Sequence, residues 1–185
     1  MLIQKKLKVL NARYVGKLMK LNVLGMGNNL KDKILTNLLP ALLIVFTFVI
    51  DRVSKIYAIN ALQSGDLFVN DFLNFSLIWN KGIGFGLLRL DNMFYHLISL
   101  LIVLIIFFLI YLIIKSKTLD KILLALVVGG ALGNCYDRVT FLAVPDFIDF
   151  HYKNLHWFTF NFADIFITSG IIMIIFKEVF FKNEN

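Results

Sequence analysis

The stretch MFYHLISLLIVLIIFFLIYLII, residues 93–114, decides the fold because it contains no Asp, Glu, Lys or Arg. A helix rises about 1.5 Å per residue, and about 20 apolar residues cross the hydrocarbon core of a bilayer. In the whole chain of 185 residues, 59% are hydrophobic and only 17% are charged. That leaves too little polar surface to cover a soluble domain of this size. The sequence therefore predicts an integral membrane protein.

Three further apolar runs flank this stretch, at residues 34–50, 119–142 and 160–181. The first needs residues beyond Asp51 to cross a bilayer comfortably. Each of the four runs is long enough to span the membrane as a helix. We therefore expect an all-α membrane protein with four transmembrane helices.

Basic residues precede the predicted membrane domain. The domain covers residues 34–181, a basic segment occupies residues 1–33, and a short tail follows at 182–185. The basic segment lacks a small-residue cleavage site, so we expect a cytoplasmic extension, for example an interfacial helix, rather than a removable signal peptide. The alternative is a translation start at Met19 or Met26.

The distribution of basic residues predicts the orientation. Of the 19 Lys and Arg residues, 13 lie in the N-terminal segment, the link at residues 115–121 and the C-terminal region, and six lie on the opposite side. The positive-inside rule then places both termini in the cytoplasm. The net charge of +7 indicates contact with anionic lipid, and nucleic acid is not an expected partner because no binding motif accompanies the charge.

Two outer connectors are rich in aromatic residues. Residues 66–92 combine β-branched and aromatic side chains with glycines, a composition that predicts short strands and turns. Residues 144–161 are rich in the aromatics that favour the headgroup region. We expect a small extracytoplasmic β-rich cradle from the first connector and a short lid from the second.

Polar side chains cluster at the outer ends of three spans. Ionisable residues at membrane depth face the bundle interior or a wet cavity, and they indicate function. The cluster contains Asp51 and Lys55 in the first span, Asn134, Asp137 and Arg138 in the third, and Asn161 and Asp164 in the fourth.

The stretch GGALGNCYDRV, which starts at Gly129, supplies three of these residues. Gly129 and Gly133 form a small face that permits close helix packing. Asn134 and Arg138 are four residues apart and share a helical face, so their donors are suited to holding the carbonyls of a substrate. Asp137 lies three residues from Asn134, and a structural alternative is that it pairs with Arg138 at a helix end.

The stretch FNFAD, residues 160–164, indicates a helix start. Asn161 is suited to cap the helix, and Asp164 then lies on the same face one turn later. A carboxylate so close to hydrocarbon is desolvated unless it has a partner. The alternative is an acid that simply complements the helix dipole.

Asp146 is a natural partner for Asp164. Pro145 ends any helix there, so we expect Asp146 at a bend before the lid. Two carboxylates brought together do not both ionise easily, and such a pair can hydrolyse a peptide by activating water and protonating the amide. Spacing alone does not choose Asp146 over Asp149 or Asp137.

Two more groups invite either a structural or a functional interpretation. Asp51 and Lys55 form an i,i+4 pair, which we interpret as mutual neutralisation that fixes the end of the first span. Asn80, close to Gly82, is suited either to binding a peptide backbone or to making a turn.

A metal site is a weaker alternative. His96, His151 and His156, together with Asp149, offer ligands for zinc, but their spacing fits no standard catalytic zinc signature. The single cysteine, Cys135, leaves no Cys cluster. We therefore expect no cofactor.

Two other functional classes remain open on these residues. A small proton-coupled transporter would use Asp51 and Asp164 as a relay, but transporters place such groups at the midplane rather than near one face. A non-catalytic membrane scaffold would tolerate Asp→Asn changes across the outer face.

Taken together and in this order, five motifs resemble the signature blocks of lipoprotein signal peptidase (signal peptidase II). The motifs are DRVSK (51–55), WNKGIGF (79–85), GGALGNCYDRV (129–139), VPDFIDF (144–150) and FNFAD (160–164). The resemblance covers residues 34–181. This chain departs from the family pattern at three places. Pro145 stands where Val is usual, Ile83 and Gly84 replace a usual pair of Ala residues, and Trp79 replaces a usual Arg.

The resemblance implies a membrane aspartyl endopeptidase of the bacterial inner or sole membrane. Such an enzyme removes the signal peptide of a prolipoprotein just before a cysteine that carries diacylglycerol. The resemblance implies that Asp146 and Asp164 are the catalytic pair, and the orientation predicted above puts them near the extracytoplasmic face. We expect the protein to be a monomer. The resemblance also implies that substrate-binding or supporting roles belong to Asn134, Arg138, Asp137, Asn161, Asn80, Asp51 and Lys55.

Overall fold

The computed structural model of the chain describes residues 34–83, 88–89, 92–153 and 155–181. The predictions for residues 1–33 and 182–185 therefore lie outside the described residues. The chain falls into two compact units, Met1–Leu39 and Pro40–Asn185. The described part of the first unit is helical, and every predicted site residue belongs to the second.

The described residues form four helices. They are α1 (Ile34–Ala61), α2 (Asn92–Lys115), α3 (Thr118–Phe141) and α4 (Phe162–Phe180). Within the described residues, three stretches are long and apolar enough to cross a membrane: Ile34–Ala61, Tyr95–Lys115 and Thr118–Phe141. The fourth helix is shorter, at 19 residues, and contains three charged side chains.

The helices expose large apolar side chains. Leu97, Leu100, Leu101 and Leu104 on α2 are each more than half exposed. Contiguous exposed apolar surface on this scale indicates a lipid environment. The mostly helical membrane class predicted from the sequence is therefore supported.

Six short strands in the described ranges form two antiparallel sheets. The strands are β1 (Leu67–Asn70), β2 (Leu73–Asn80), β3 (Gly82–Ile83), β4 (Leu88–Arg89), β5 (Val144–Tyr152) and β6 (Leu155–Phe160). The larger sheet has the order β1-β2-β5-β6, and β3 pairs with β4. The predicted strands within residues 66–92 are confirmed.

The lid predicted for residues 144–161 is wrong. Most of this segment forms β5 and β6, and β5 is an inner strand that pairs with both β2 and β6. Asp146 consequently lies within a strand opposite Ile78, rather than at a bend. Pro145 is tolerated because it is only the second residue of the strand, where a missing backbone donor costs little.

The sheet is attached directly to the helices. After α3 ends, Leu142 adopts a left-handed conformation (φ 52, ψ 26) that turns the chain into β5. The buried residues Ala58, Phe147 and Ile148 form a core between α1 and the sheet, with Phe162 packed against it. The carboxylates of β5 are thereby held beside the ends of the helices.

Glycines on α3 allow its neighbours to approach closely, as the sequence predicts. A Cβ on Gly133 would overlap the carboxylate of Asp51, and one on Gly130 would overlap the backbone of Ala163. The close approach brings α1 and the start of α4 against the same turn of α3. This contact positions the polar residues of all three helices.

Candidate active site

Four charged side chains form a compensated cluster between α1 and α3. The Lys55 ammonium lies 2.9 Å from Asp51 and 2.7 Å from Asp137. The Arg52 guanidinium donates to both oxygens of Asp137, at 2.5 and 2.8 Å, and to Asp51 at 2.9 Å. Lys55, Asp51 and Asp137 are fully buried. Two carboxylates thus face two cations, so the group carries no net charge. We call Asp51, Arg52, Lys55 and Asp137 the charge-balanced cluster.

Asn134 connects this cluster to the fourth helix. Its amide oxygen accepts a hydrogen bond from Lys55 at 2.8 Å. Its amide nitrogen donates to the carboxylate of Asp164 at 2.8 Å. Because Lys55 can only donate, the orientation of the amide is fixed, and its N–H is directed at Asp164.

Asp164 lies at the start of α4, as the FNFAD pattern predicts. Asn161 is the N-cap, and its side chain accepts from the backbone N–H of Asp164 at 3.1 Å. The Asp164 carboxylate in turn accepts from the backbone N–H of Asn161 at 3.2 Å. This reciprocal capping box satisfies two free donors at the helix start. It also fixes the position of the Asp164 carboxylate.

Asp146 is held by two side-chain amides. Asn161 donates to one carboxylate oxygen at 2.5 Å, and Asn80 donates to the other at 2.9 Å. Asn80 also accepts from the backbone N–H of Gly82 at 2.8 Å, so it makes the predicted turn as well. Asn161 therefore contacts both carboxylates, because its side-chain amide donates to Asp146 and its backbone N–H donates to Asp164.

The electrostatic environment of Asp146 favours its protonated form. Burial, followed by the nearby charge of Asp164, raises the pKa of Asp146 from 3.8 to about 7. The hydrogen bonds from Asn80 and Asn161 only partly oppose this effect. In the described part of the chain, neither Asp146 nor Asp164 has a cation within ion-pair distance. We call these two residues the amide-held pair.

Arg138 lines a cavity next to Asp164. Its guanidinium donates to the backbone oxygen of Asn134 at 3.1 Å. The cavity measures about 440 Å³ and runs between α2, α3 and α4. Most of its wall is aliphatic, for example Ile106 and Leu109, while Asn134, Arg138 and Asp164 supply polar groups. Such a cavity can accept an apolar chain and present its polar end to the carboxylate.

The nine site residues predicted from the sequence are all connected by hydrogen bonds or ion pairs. The members are Asp51, Lys55, Asn80, Asn134, Asp137, Arg138, Asp146, Asn161 and Asp164. The alternative pairing of Asp137 with its neighbour Arg138 is wrong, because the ion pairs of Asp137 run to α1.

One member of the charge-balanced cluster was missed by the sequence reasoning. Arg52 was counted only among the basic residues that set topology, but it bridges Asp51 and Asp137. The available signal was its position within one turn of Lys55, next to Asp51. Residues three or four apart on a helix share a face, whereas a buried contact to α3 cannot be derived from α1 alone.

The geometry separates Asp146 from Asp149, which spacing alone did not. Asp149 contacts His156 at 2.7 Å and Thr159 at 3.5 Å, and it shares no partner with Asp146. The two residues are three positions apart on β5, so their side chains leave opposite faces of the sheet. Only Asp146 is linked to Asp164 through Asn161.

Three of the four residues weighed above as alternative zinc ligands lie close together. Asp149, His151 and His156 come together, with a potential ligand atom from each within 4.8 Å of the others. His96 lies at the start of α2 and is not part of this group. The group is separate from the network that contains Asp146 and Asp164.

Comparison with known proteins identifies close relatives. Residues 43–180 match the family model described as signal peptidase (SPase) II. The chain is 45% identical over 150 residues to a lipoprotein signal peptidase of Pelagibacter ubique, covering 79% of this chain and 90% of the relative. It is 41% identical over 143 residues to that of Anaplasma marginale, covering 75% and 82%.

A solved structure shares the fold. It is described as a bacterial membrane enzyme, and it superimposes with a TM-score of 0.65 at 29% sequence identity. The match covers 79% of this chain and 92% of that chain. The helices and strands described above therefore have a counterpart in a membrane enzyme of known structure.

Proposed function

This chain belongs to the signal peptidase II family, and we propose that Asp146 and Asp164 are its catalytic pair. As a member of the family it is a membrane protease that removes the signal peptides of lipoproteins. We further propose that cleavage occurs on the N-terminal side of a cysteine that carries diacylglycerol. No cofactor is needed for this chemistry.

The observation that carries the proposal is the amide-held pair itself. The carboxylates of buried Asp146 and half-buried Asp164 both contact Asn161. Among the described residues, each is held only by N–H donors of neutral groups. A carboxylate without a cationic partner changes its protonation state easily, which a structural ion pair does not. A pair of this kind is suited to give one proton and accept another near neutral pH.

The protonation states assign the two roles. Because the pKa of Asp146 is raised to about 7, Asp146 is the group that holds the shared proton, and Asp164 begins as the carboxylate. Water attacks the scissile carbonyl carbon while Asp164 accepts its proton. Asp146 then donates its proton to the amide nitrogen as the C–N bond breaks. Proton exchange with solvent restores the starting pair.

The cavity beside Asp164 is suited to bind an apolar substrate. Its aliphatic wall suits the hydrophobic part of a signal peptide or the acyl chains of the lipid. Asn134 and Arg138 lie at the polar end, where their donors can hold substrate carbonyls. Asn80 and Asn161 position Asp146, while Asp51, Lys55 and Asp137 support the helices.

The orientation follows from charge. We propose that α4 is a fourth span, that both termini are cytoplasmic, and that the active site lies near the extracytoplasmic face. The excess of Lys and Arg in the predicted cytoplasmic segments supports this orientation. An exported signal peptide would reach the site from that side. The enzyme would act as a monomer surrounded by lipid.

The test is cleavage of a diacylglyceryl-modified prolipoprotein by purified protein in lipid. We expect Asp146→Asn and Asp164→Asn each to lower kcat at least about 10³-fold, because each removes a proton-transfer group. The melting temperature (Tm) of both variants should stay at or above that of the parent. Asp120→Asn, at a surface ion pair with Lys177, is the matched control and should keep full activity. Full activity in either site variant would remove that residue from the pair.

A further inference from the structure

The β5–β6 hairpin brings one carboxylate and two imidazoles together. The Nδ1 atom of His156 lies 2.7 Å from the carboxylate of Asp149, and the Nδ1 atom of His151 lies 3.7 Å from the same oxygen. The two imidazole rings are stacked with their centroids 5.3 Å apart. His151 and His156 face each other across the two strands, so the strand pairing itself holds the ligands together.

Two buried polar atoms at this group lack partners. Asp149 and His151 are only 2% and 5% exposed. Among the described residues, the Nδ1 atom of His151 has no hydrogen-bond partner, and neither has the Oδ1 atom of Asn74. Asn74 lies opposite Asp149 on β2. Leaving a buried polar atom unsatisfied costs about 1–3 kcal/mol. A bound ion would satisfy the Nδ1 atom of His151.

The ligand set identifies the class of ion. Two neutral imidazoles and one carboxylate form a nitrogen-and-oxygen site with one negative charge, which suits a divalent first-row metal such as zinc. Thr159 lies 3.5 Å from the other oxygen of Asp149 and can orient it. The side chain of His156 is 59% exposed, which gives an ion a route from solvent.

We propose that Asp149, His151 and His156 bind a divalent transition-metal ion of the zinc type, which stabilises the β5–β6 hairpin. The ion replaces the Asp149–His156 hydrogen bond, and water completes its coordination. Its role is structural, because the ligands lie on the face of the sheet opposite Asp146 and line no part of the cavity beside Asp164. The site would hold the inner strand that carries Asp146 in its register.

The experiment uses the full-length protein in detergent, purified with a tag that contains no histidine and freed of metal with a chelator. Zinc is titrated while Tm is recorded, and cobalt replaces zinc in a parallel titration to give a visible absorption band of tetrahedral sites. We expect zinc to raise Tm by about 2–4 °C or more. One equivalent of cobalt should produce the band.

Two histidine variants make the test specific. His156→Gln removes an exposed ligand, so the protein should fold while both the Tm shift and the cobalt band are lost. His96→Gln, at an exposed position on α2 outside the group, should respond like the parent. Equal responses of both variants, or no response of the parent, would overturn the proposal. Cleavage by the metal-free parent should persist, which distinguishes this site from the catalytic pair.

Discussion

The charge-balanced cluster and the amide-held pair belong to one hydrogen-bonded network, but their carboxylates are neutralised differently. Asp51 and Asp137 lie within 3 Å of Lys55 and Arg52. Within the part of the chain that the structure describes, Asp146 and Asp164 receive hydrogen bonds only from neutral groups. All four carboxylates are buried or nearly so, so burial alone does not separate the two groups. The difference is the presence of cations.

From this difference we propose that the charge-balanced cluster stabilises the fold and that the amide-held pair carries out the chemistry. The ion pairs of the charge-balanced cluster join α1 to α3. Removing one partner from such a cluster leaves an uncompensated buried charge, which is costly. A carboxylate held by amides can be protonated or ionised near neutral pH, which is the property that acid–base catalysis requires.

Lys55→Met is the sharpest way to break the charge-balanced cluster. It leaves Asp51 and Asp137 facing Arg52 alone, so we expect the free energy of unfolding to fall by about 3–5 kcal/mol. The double variant Lys55→Met with Asp137→Asn restores the charge balance and should regain part of this loss. The measurement is thermal unfolding in detergent micelles.

A matched control for this substitution lies at the other end of the helices. Lys177 on α4 pairs with Asp120 on α3 at 2.6 Å, and both are partly exposed. Because exposed ion pairs contribute little, Lys177→Met should change Tm far less than Lys55→Met. If the two variants unfold alike, or if the double variant is no more stable than Lys55→Met, the cluster is not what holds α1 to α3.

The pH dependence of stability tests the amide-held pair. The pKa of Asp146 rises from 3.8 to about 7 on folding, so the folded protein binds this proton more tightly than the unfolded chain. The Asp146 side chain therefore costs stability as pH rises from about 4 to about 7, by at most about 4 kcal/mol. Asp146→Asn removes this dependence.

The expected result is a difference in Tm, variant minus parent, that grows between pH 4 and pH 7 and then levels off. The slope is the informative quantity, because the lost acceptor for Asn80 or Asn161 shifts the difference by a similar amount at every pH. Asp120→Asn, whose carboxylate is paired with Lys177, should show no such growth. A difference that is constant or shrinks with pH would contradict the proton-holding role of Asp146.

The sequence predicted which residues belong to the network better than it predicted which of them contact each other. Apolar run lengths and the spacing of Asn134, Asp137 and Arg138 depend on local periodicity, which the chain displays directly. The contact between Arg52 and Asp137 joins residues 85 positions apart. It depends on how closely two helices approach, which only the glycines of α3 indicated.

The strand register explains why the sequence neither distinguished Asp146 from Asp149 nor predicted the strands in residues 144–161. Whether Asp146 or Asp149 faces Asp164 depends on how β5 pairs with β2, and a shift of one residue would exchange the faces. That pairing places Asn80 opposite Val144 and Asn74 opposite Asp149. The aromatic residues of segment 144–161 indicated a lid at the headgroup region, and Pro145 indicated a bend before it, whereas pairing on both sides makes β5 the inner strand.

Substitution of Asn134 tests whether the charge-balanced cluster and the amide-held pair are separable. Its side-chain amide accepts a hydrogen bond from Lys55 and donates one to Asp164. In Asn134→Ala, Lys55 keeps both carboxylate partners but one of its buried N–H groups loses its acceptor. The free energy of unfolding should therefore fall by about 1–3 kcal/mol, less than in Lys55→Met. Asp164 loses a hydrogen bond to its charged form, worth about 1.5–3 kcal/mol. We expect kcat for prolipoprotein cleavage to fall about 10- to 100-fold.

The control Asn70→Ala removes a side chain that accepts from two backbone N–H groups in the β1–β2 turn. Asn70→Ala should lower Tm without lowering kcat, whereas Asn134→Ala should lower kcat. If Asn134→Ala instead lowers Tm as far as Lys55→Met and the remaining folded protein cleaves at the parental rate, Asn134 belongs to the charge-balanced cluster alone. In that case the amide from α3 has no part in holding Asp164, and the capping box with Asn161 positions this carboxylate by itself.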